Sequence, residues 1–431
     1  MTGELRIQGV TVSSLASEYG TPLFVYDADA LAGQYNGLRS RLHPAVDLFY
    51  SLKANPNVAI CSLLSSLGAG AEVSSLAELR TALRAGVAPA DIVFPGPGKS
   101  RAELSACLEE GIEAIVCESL GELELINELA RDSGRPARVA LRVNPGFTMK
   151  TSTLTMGGKP RQFGIDEDQL REQPGLARRF PHVRLVGVHV YMGTRILDEA
   201  VVAENTERIL ALADQLSSLL DFPLEVADIG GGLGVPYFDG ERELDLDALS
   251  GMLNQVIAGF RARHKETRLI MELGRYLAAP AGCYVIGVRY VKTSWGERFA
   301  VTDGGTHHHM AAVGIGSFVK RNFPVRLLNR AADGPQAPWT IAGPLCTPND
   351  TLAKNVQLPP VRPGDLLGVL CSGAYGPSAS PGMFLSHGFP AEVLVHDGVP
   401  YLIRKRDEVA DMLGSQILPD LAQPAARAAA S

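Results

Sequence analysis

Between Phe24 and about Gly282, short β-branched apolar runs alternate with longer amphipathic stretches, and the alternation repeats eight times. The strand-like runs are Asp47–Leu52, Ala71–Ser75, Asp91–Pro95, Ala114–Glu118, Arg138–Val143, Leu185–Tyr191, Val226–Ile229 and Arg268–Glu272. Helix-like segments such as Ser75–Ala85, Ser100–Glu110 and Glu199–Leu219 separate them. Near-continuous apolar strands are those buried on both faces, so a parallel sheet covered by helices is expected. Eight such units over roughly 250 residues suit a closed (β/α)8 barrel, with a doubly wound open sheet as the structural alternative. Polar and glycine residues cluster just after nearly every strand, which favours the barrel, because its active sites lie at the carboxyl ends of the strands. The clusters are Lys53-Ala54-Asn55, Gly96-Pro97-Gly98, Asn144-Pro145-Gly146, Gly193-Thr194, Gly230-Gly231-Gly232 and Gly274-Arg275. Residues 145–184 form a longer connection than a βα loop needs, and they are expected to fold over this mouth.

After Gly282 the helical period disappears. Tyr284–Val291, Arg298–Val301, Leu366–Leu370 and Glu392–Val395 read as strands between Gly/Pro turns. The expected organisation is a barrel over 24–282 and a mostly β domain over 1–23 plus 283–417. The Ala/Pro-rich tail at 418–431 is expected to be disordered. With 431 residues, 46% hydrophobic and 20% charged, the chain has the balance of a globular protein with a sizeable core. A net charge of −7 argues against general nucleic-acid binding. No apolar run is long enough to span a bilayer and the first residues carry no signal-peptide pattern, so a cytoplasmic location without membrane contact is expected. The six cysteines show no CxxC pair or metal-type spacing and read as free thiols.

Three loops carry the chemistry. Lys53 ends an apolar strand and points into a desolvated mouth, where burial lowers the pKa of an amine and lets it form an imine. Taken alone, it would more readily be a lysine reaching past the strand end to solvent, and the other loops change that. In Asp228-Ile229-Gly230-Gly231-Gly232, consecutive glycines let backbone N–H groups surround a phosphate without Cβ obstruction, although a tight turn is the plainer reading. Glu272 ends the eighth strand, the neighbour of the first in a closed barrel, and could instead pair with Arg275. A carboxylate there can keep a pyridine nitrogen protonated. An imine-forming lysine, a phosphate cradle and a pyridinium partner together describe one cofactor, pyridoxal 5'-phosphate.

YSLKANPN, ALRVNPGF, RQFGI, GVHVYMGT, DIGGGLG, ELGRYL, VTDGG, GPLCTPND and SASPGMFLSHGFPAEVL follow in this order across nearly the whole chain. On these motifs the sequence resembles the fold-type III pyridoxal-phosphate decarboxylases, the ornithine/diaminopimelate decarboxylase family with its alanine-racemase-like (β/α)8 TIM barrel. THHHMAA, GPLCTPND and SASPGMFLSH most resemble a biosynthetic-cluster subgroup that includes carrier-protein-linked and exosortase-associated decarboxylases. The resemblance implies that Lys53 holds the cofactor as a Schiff base and that Glu272 is the pyridinium partner. It implies a phosphate site of Thr194, Gly231, Gly232, Gly274, Arg275 and Tyr375, with His189 and Tyr191 at the ring. It also implies a homodimer in which Cys346 is offered to the neighbouring active site to return a proton, with Thr347, His309 and Tyr375 near the substrate.

Departures from the family bear on the substrate. Tyr191 stands where many relatives have a histidine stacked on the ring, and it can stack as well. Thr347 and Pro348 follow Cys346 where diaminopimelate decarboxylases have a glutamate, and His307-His308-His309-Met310 replaces their arginine. Both charged handles for diaminopimelate are missing, and an acidic residue for ornithine's distal amine is not evident. The expectation is decarboxylation of an aminoacyl α-carboxylate in a biosynthetic cluster, with the substrate either a small molecule or tethered to a carrier protein. Decarboxylation of free diaminopimelate, lysine or ornithine stands beside it, as does a catalytically silent regulatory homologue. His307 and His309 would share one face of a strand, but without carboxylates they make a poor metal site, so no metal is expected. The basic run from Lys320 to Arg330 reads as a solvated loop or as a dock for an acidic carrier protein.

Overall fold

A computed structural model describes residues 3–148, 160–313 and 321–419. Eight parallel strands run in the order Val46–Ser51, Gly70–Glu72, Ile92–Phe94, Ala114–Cys117, Ala137–Asn144, Val183–His189, Val226–Gly231 and Arg268–Leu273. The ring closes because Arg268–Leu273 pairs in register with Val46–Ser51, placing Glu272 beside Phe49. It closes on the other side too, since Val183–His189 pairs with both Ala137–Asn144 and Val226–Gly231. An open doubly wound sheet would leave two of its strands at an edge, whereas each of these eight is paired on both sides. Phe49, Val93, Ala114, Val116, Ala140, Val186, Val226 and Ile270 fill the interior as one buried cluster. Phe49 needs Gly70 beside it, because a Cβ there would lie 2.5 Å from its ring.

The covering helices begin where the sequence supplies side-chain acceptors. Ser75 caps Leu76–Arg84, and Ser100 forms a reciprocal capping box with Glu103 at the start of Arg101–Glu110. Asp198 caps Glu199–Leu220 by accepting from Ala200 and Val201. These caps fix where each chain segment turns from the mouth back down the barrel wall.

The second domain is a sheet ordered Thr351–Leu358, Ala337–Ala342, Glu297–Thr302, Gly282–Ser294, Leu23–Asp27, Ala391–His396 and Val399–Arg404. Val325–Leu327 and Leu366–Leu370 join it beside Gly282–Ser294. One boundary differs from expectation. Leu23–Asp27, assigned to the barrel from 24 onward, lies in this sheet, antiparallel to Gly282–Ser294 and parallel to Ala391–His396. Both of its faces are apolar, with Leu23 and Val25 in one cluster and Phe24 and Tyr26 in another, so it reads like a barrel strand. No helix among the described residues is long and apolar enough to cross a membrane. The tail expected to be disordered falls outside the described residues from 420 onward, as do 149–159 of the long connection.

Candidate active site

The carboxyl ends of the barrel strands gather a set of buried charges. Lys53 sits in a short turn, Leu52–Ala54, directly after the first strand, and its Nζ lies 2.7 Å from Glu72 Oε2. Glu72 ends the second strand in register with Ser51, is fully buried, and accepts a second bond from Ser74 Oγ at 3.1 Å. Burial pushes the Lys53 ammonium toward neutrality, but the carboxylates of Glu72 and Glu272 outweigh it and hold its pKa above the ordinary lysine value. The expected fall in pKa is therefore reversed in the chain by itself. The lysine stands as a cation poised between two acids.

Across the mouth, His189, Asp228 and Glu272 bring donor atoms within 4.8 Å of one another, all buried. His189 Nε2 and Glu272 Oε1 are 3.4 Å apart. Burial opposes a charge on Glu272, yet His189, Lys53 and Arg142 together hold its pKa below the usual carboxylate range. Burial and then the Glu272 charge push Asp228 the other way, well above that range. Asp228 Oδ1 accepts from Gly230 N at 2.9 Å. Both ring nitrogens of His189, Oδ2 of Asp228 and Oε1 of Glu272 have no hydrogen-bond partner among the described residues. Buried polar atoms are rarely left so, because each costs about 1–3 kcal/mol. With Asp228 pushed toward its neutral form, the trio offers one imidazole and one carboxylate held ionised, a poor metal set and a good partner for a protonated ring nitrogen.

The glycine loop fits a phosphate for steric reasons. Gly230 and Gly232 have φ of +65° and +81°, and a Cβ on Gly232 would lie 2.0 Å from Gly193 O. Thr194 follows in the facing loop, which is tied on by Ile196 N donating to Gly232 O at 2.9 Å. Gly274 precedes the short helix Arg275–Ala278 and packs closely on the Lys53 turn, where a Cβ would lie 3.0 Å from Ala54. Tyr375, at φ +57°, donates its backbone N–H to Ala54 O at 2.7 Å. The Arg275 guanidinium lies 4.6 Å from the centre of the Tyr375 ring, and its Nε is buried without a partner. Lys53 Nζ is 5.5 Å from the centre of the Tyr191 ring, so that ring flanks the space between lysine and Glu272. The residues gathered at the mouth fit such a cofactor, with an amine, a carboxylate and a loop free of Cβ atoms.

His309, Cys346 and Thr347 do not line the mouth of their own chain. His309 is wholly buried against Phe24, Tyr284 and Phe323, and its Nε2 meets Ser372 Oγ at 2.8 Å. Burial pushes its pKa down to about 3, and it is a core residue of the second domain rather than a substrate-facing one. Thr306, His307 and His308 lie in a turn, so His307 and His309 do not share the face that a strand would give them. Cys346 and Thr347 lie in the loop between Ala337–Ala342 and Thr351–Leu358, where the Cys346 thiol is exposed and makes no hydrogen bond to the mouth residues.

Sequence reading missed Glu72, Asp228, Tyr237 and the buried Arg142–Glu118 pair. Glu72 and Asp228 each carried one signal, a carboxylate ending or interrupting an apolar strand. Tyr237, whose hydroxyl accepts from Arg275 at 3.0 Å, carried none.

Residues 29–279 match the pyridoxal-binding domain of the pyridoxal-dependent decarboxylases. The L-glutamyl-[BtrI acyl-carrier protein] decarboxylase of Niallia circulans is 39% identical over 417 residues, covering 96% of this chain and 97% of that one. The diaminopimelate decarboxylase of Aquifex aeolicus is 32% identical, covering 94% of each chain. The solved diaminopimelate decarboxylase of M. jannaschi superposes with a TM-score of 0.88 at 28% identity, over 97% of this chain and 96% of that one. With that coverage and the mouth just described, the chain belongs to the pyridoxal-dependent decarboxylase family and is an enzyme that uses pyridoxal phosphate to remove an α-carboxylate.

Proposed function

We propose that the substrate is an aminoacyl group tethered to a carrier protein, and that two copies of the chain share their active sites. The observation that carries the site assignment is the unpartnered Glu272–His189 pair facing Lys53 across the mouth. Pyridoxal phosphate, when bound, supplies the sink for the electron pair that the departing carboxylate leaves behind.

The chain's own residues do the rest. Glu272, held ionised, keeps a proton on the nitrogen it faces. Tyr191 would flank the ring, and the Gly230–Gly232 backbone with Gly274 would hold the phosphate. Arg275 adds positive charge beside Tyr375. Lys53 would hold the cofactor through Nζ, and Glu72, 2.7 Å away, would take the proton that the amine gives up. Cys346, exposed on its loop, reaches the neighbouring mouth in the dimer and returns a proton to Cα. Thr347 follows it without a charge, which suits an acyl linkage at the distal end and not a free ammonium. The relative from Niallia circulans, by its name, acts on a carrier-bound glutamyl group.

Two measurements test this. Borohydride reduction of the loaded enzyme followed by peptide mapping is expected to modify Lys53, and an unmodified Lys53 overturns the site. Carbon-dioxide release is expected from aminoacyl groups on a carrier protein. Release from free diaminopimelate, lysine or ornithine alone overturns the substrate.

A further inference from the structure

Outward from the cofactor site runs a row of guanidinium groups interleaved with aromatic rings. Arg275 lies over Tyr375 and, at 5.5 Å, over Tyr237. Arg195 lies over Tyr237 at 5.5 Å and over Phe238 at 4.9 Å, and Arg321 caps Phe238 at 4.3 Å. One carboxylate, Glu241, pairs with the outer two, at 3.2 Å from Arg195 and 3.9 Å from Arg321. Its other oxygen is already used by the backbone N–H groups of Tyr237 and Phe238. The row is therefore short of negative charge. Arg195 shows it most: its Nε is buried with no partner among the described residues, and it sits at φ +60°, a conformation that costs a non-glycine residue about 1 kcal/mol or more. Burial lowers its pKa, and the Arg275 and Arg321 charges add to that effect.

The row ends in a cleft of about 640 Å³ lined by Phe238, Arg321, Asn322, Lys354 and Asn355, with Asp239 the acidic group on its wall. Asn322 and Lys354 bond reciprocally through the Asn322 amide, at 2.7 and 2.9 Å, which anchors the Arg321 segment to the neighbouring strand. The cleft is therefore held in shape by the fold. Guanidinium pairs on planar rings are suited to bind phosphate oxygens.

We propose that Arg195, Arg321 and Lys354 form a subsite for a phosphate ester on the arm of the substrate, set outside the reacting centre. This rests on the reading of a tethered substrate, whose pantetheine arm carries such a phosphate. Arg195 and Arg321 then act as specificity residues, binding a part of the substrate that never reacts.

The test compares aminoacyl pantetheine 4'-phosphate with its dephosphorylated form on the loaded enzyme. The native protein is expected to favour the phosphate by about tenfold or more in kcat/KM. Arg195→Asn, chosen because asparagine tolerates positive φ, combined with Arg321→Ala is expected to bring that preference close to one through KM. A native enzyme indifferent to the phosphate, or a variant that loses both substrates by the same factor, overturns the subsite. Calorimetry with pantetheine 4'-phosphate and with glutarate reads binding without turnover. Phosphate-ester binding lost in the double variant supports the subsite even if only free amino acids are decarboxylated, an outcome that would defeat the tethered-substrate reading alone. Equal binding of the dicarboxylate shows a general anion site and overturns the assignment to phosphate.

Discussion

The two ends of the barrel use charge in opposite ways. At the amino-terminal rim, Arg268 reaches Asp47 at 2.6 Å, Asp91 at 2.5 Å and Glu113 at 3.4 Å. Arg138 bridges Glu113 and Glu225, and Arg184 joins at Glu225. Each of these cations meets a carboxylate, and each is partly solvated. At the mouth, His189, Asp228 and Glu272 are buried and Arg275 is half-buried, and all four leave polar atoms unsatisfied among the described residues. The same side-chain types thus hold the barrel together at one end and wait for a ligand at the other. In barrels the carboxyl end carries chemistry and the amino end stability, so substitutions should separate cleanly between the two.

The largest effect is expected at Lys53. Lys53→Ala removes the amine that attaches the cofactor, and turnover should fall by about 10³-fold or more. Absorbance of the loaded variant should show unattached cofactor. Turnover near that of the native enzyme would break the contrast between the two ends at its centre. Gly232→Ala comes next. Its Cβ would press within 2.0 Å of Gly193 O, so the loop must move and phosphate binding weakens. Cofactor affinity, read by fluorescence titration, is expected to drop about 10²-fold. An unchanged affinity would show that the cradle lies elsewhere.

How far the sequence reveals this arrangement depends on where the deciding contact lies. The eight barrel strands are legible because each is buried on both faces and so carries its own apolar run. Lys53, Glu272 and the glycine loop are legible because local chemistry marks them at strand ends. Glu72 is not, since its meaning depends on Lys53, 19 residues away and brought close only by the register of two strands. Val399–Arg404 escapes because an edge strand carrying Pro400 and exposed Tyr401 has no buried face to announce it. Thr351–Leu358 pairs through register shifts that blur its alternation. His309 misleads for the converse reason, because a polar residue in a motif can be a core residue held among aromatic rings.

Asp228 gives a pH-dependent test of the mouth. Its folded pKa is raised well above 3.8, so folding favours the protonated form. Stability from this group is complete below the unfolded pKa and is lost as pH rises toward the folded one. The loss runs at up to about 1.4 kcal/mol per pH unit. Asp228→Asn keeps an oxygen for Gly230 N and carries no charge, so the cofactor-free variant should be more stable than native at pH 7. That advantage should shrink as pH falls toward 4. Thermal melts across this range check it, and a constant difference would mean that the carboxyl is not the strained group the mouth implies.

The smallest effect is expected at the opposite rim. Arg268→Ala removes three partly exposed ion pairs and a bond to the Ala90 carbonyl at 2.6 Å, and it leaves Asp47, Asp91 and Glu113 facing one another. Exposed pairs contribute less than about 1 kcal/mol each, so a loss of about 2 kcal/mol is expected, seen as a Tm several degrees lower. Because the partners are solvated, 1 M salt should narrow the gap between variant and native. Turnover at a temperature where both remain folded should stay within about twofold, since the rim lies at the far end of the strands from Lys53. A loss of turnover without a loss of stability would place function at the end of the barrel where every charge already has its partner.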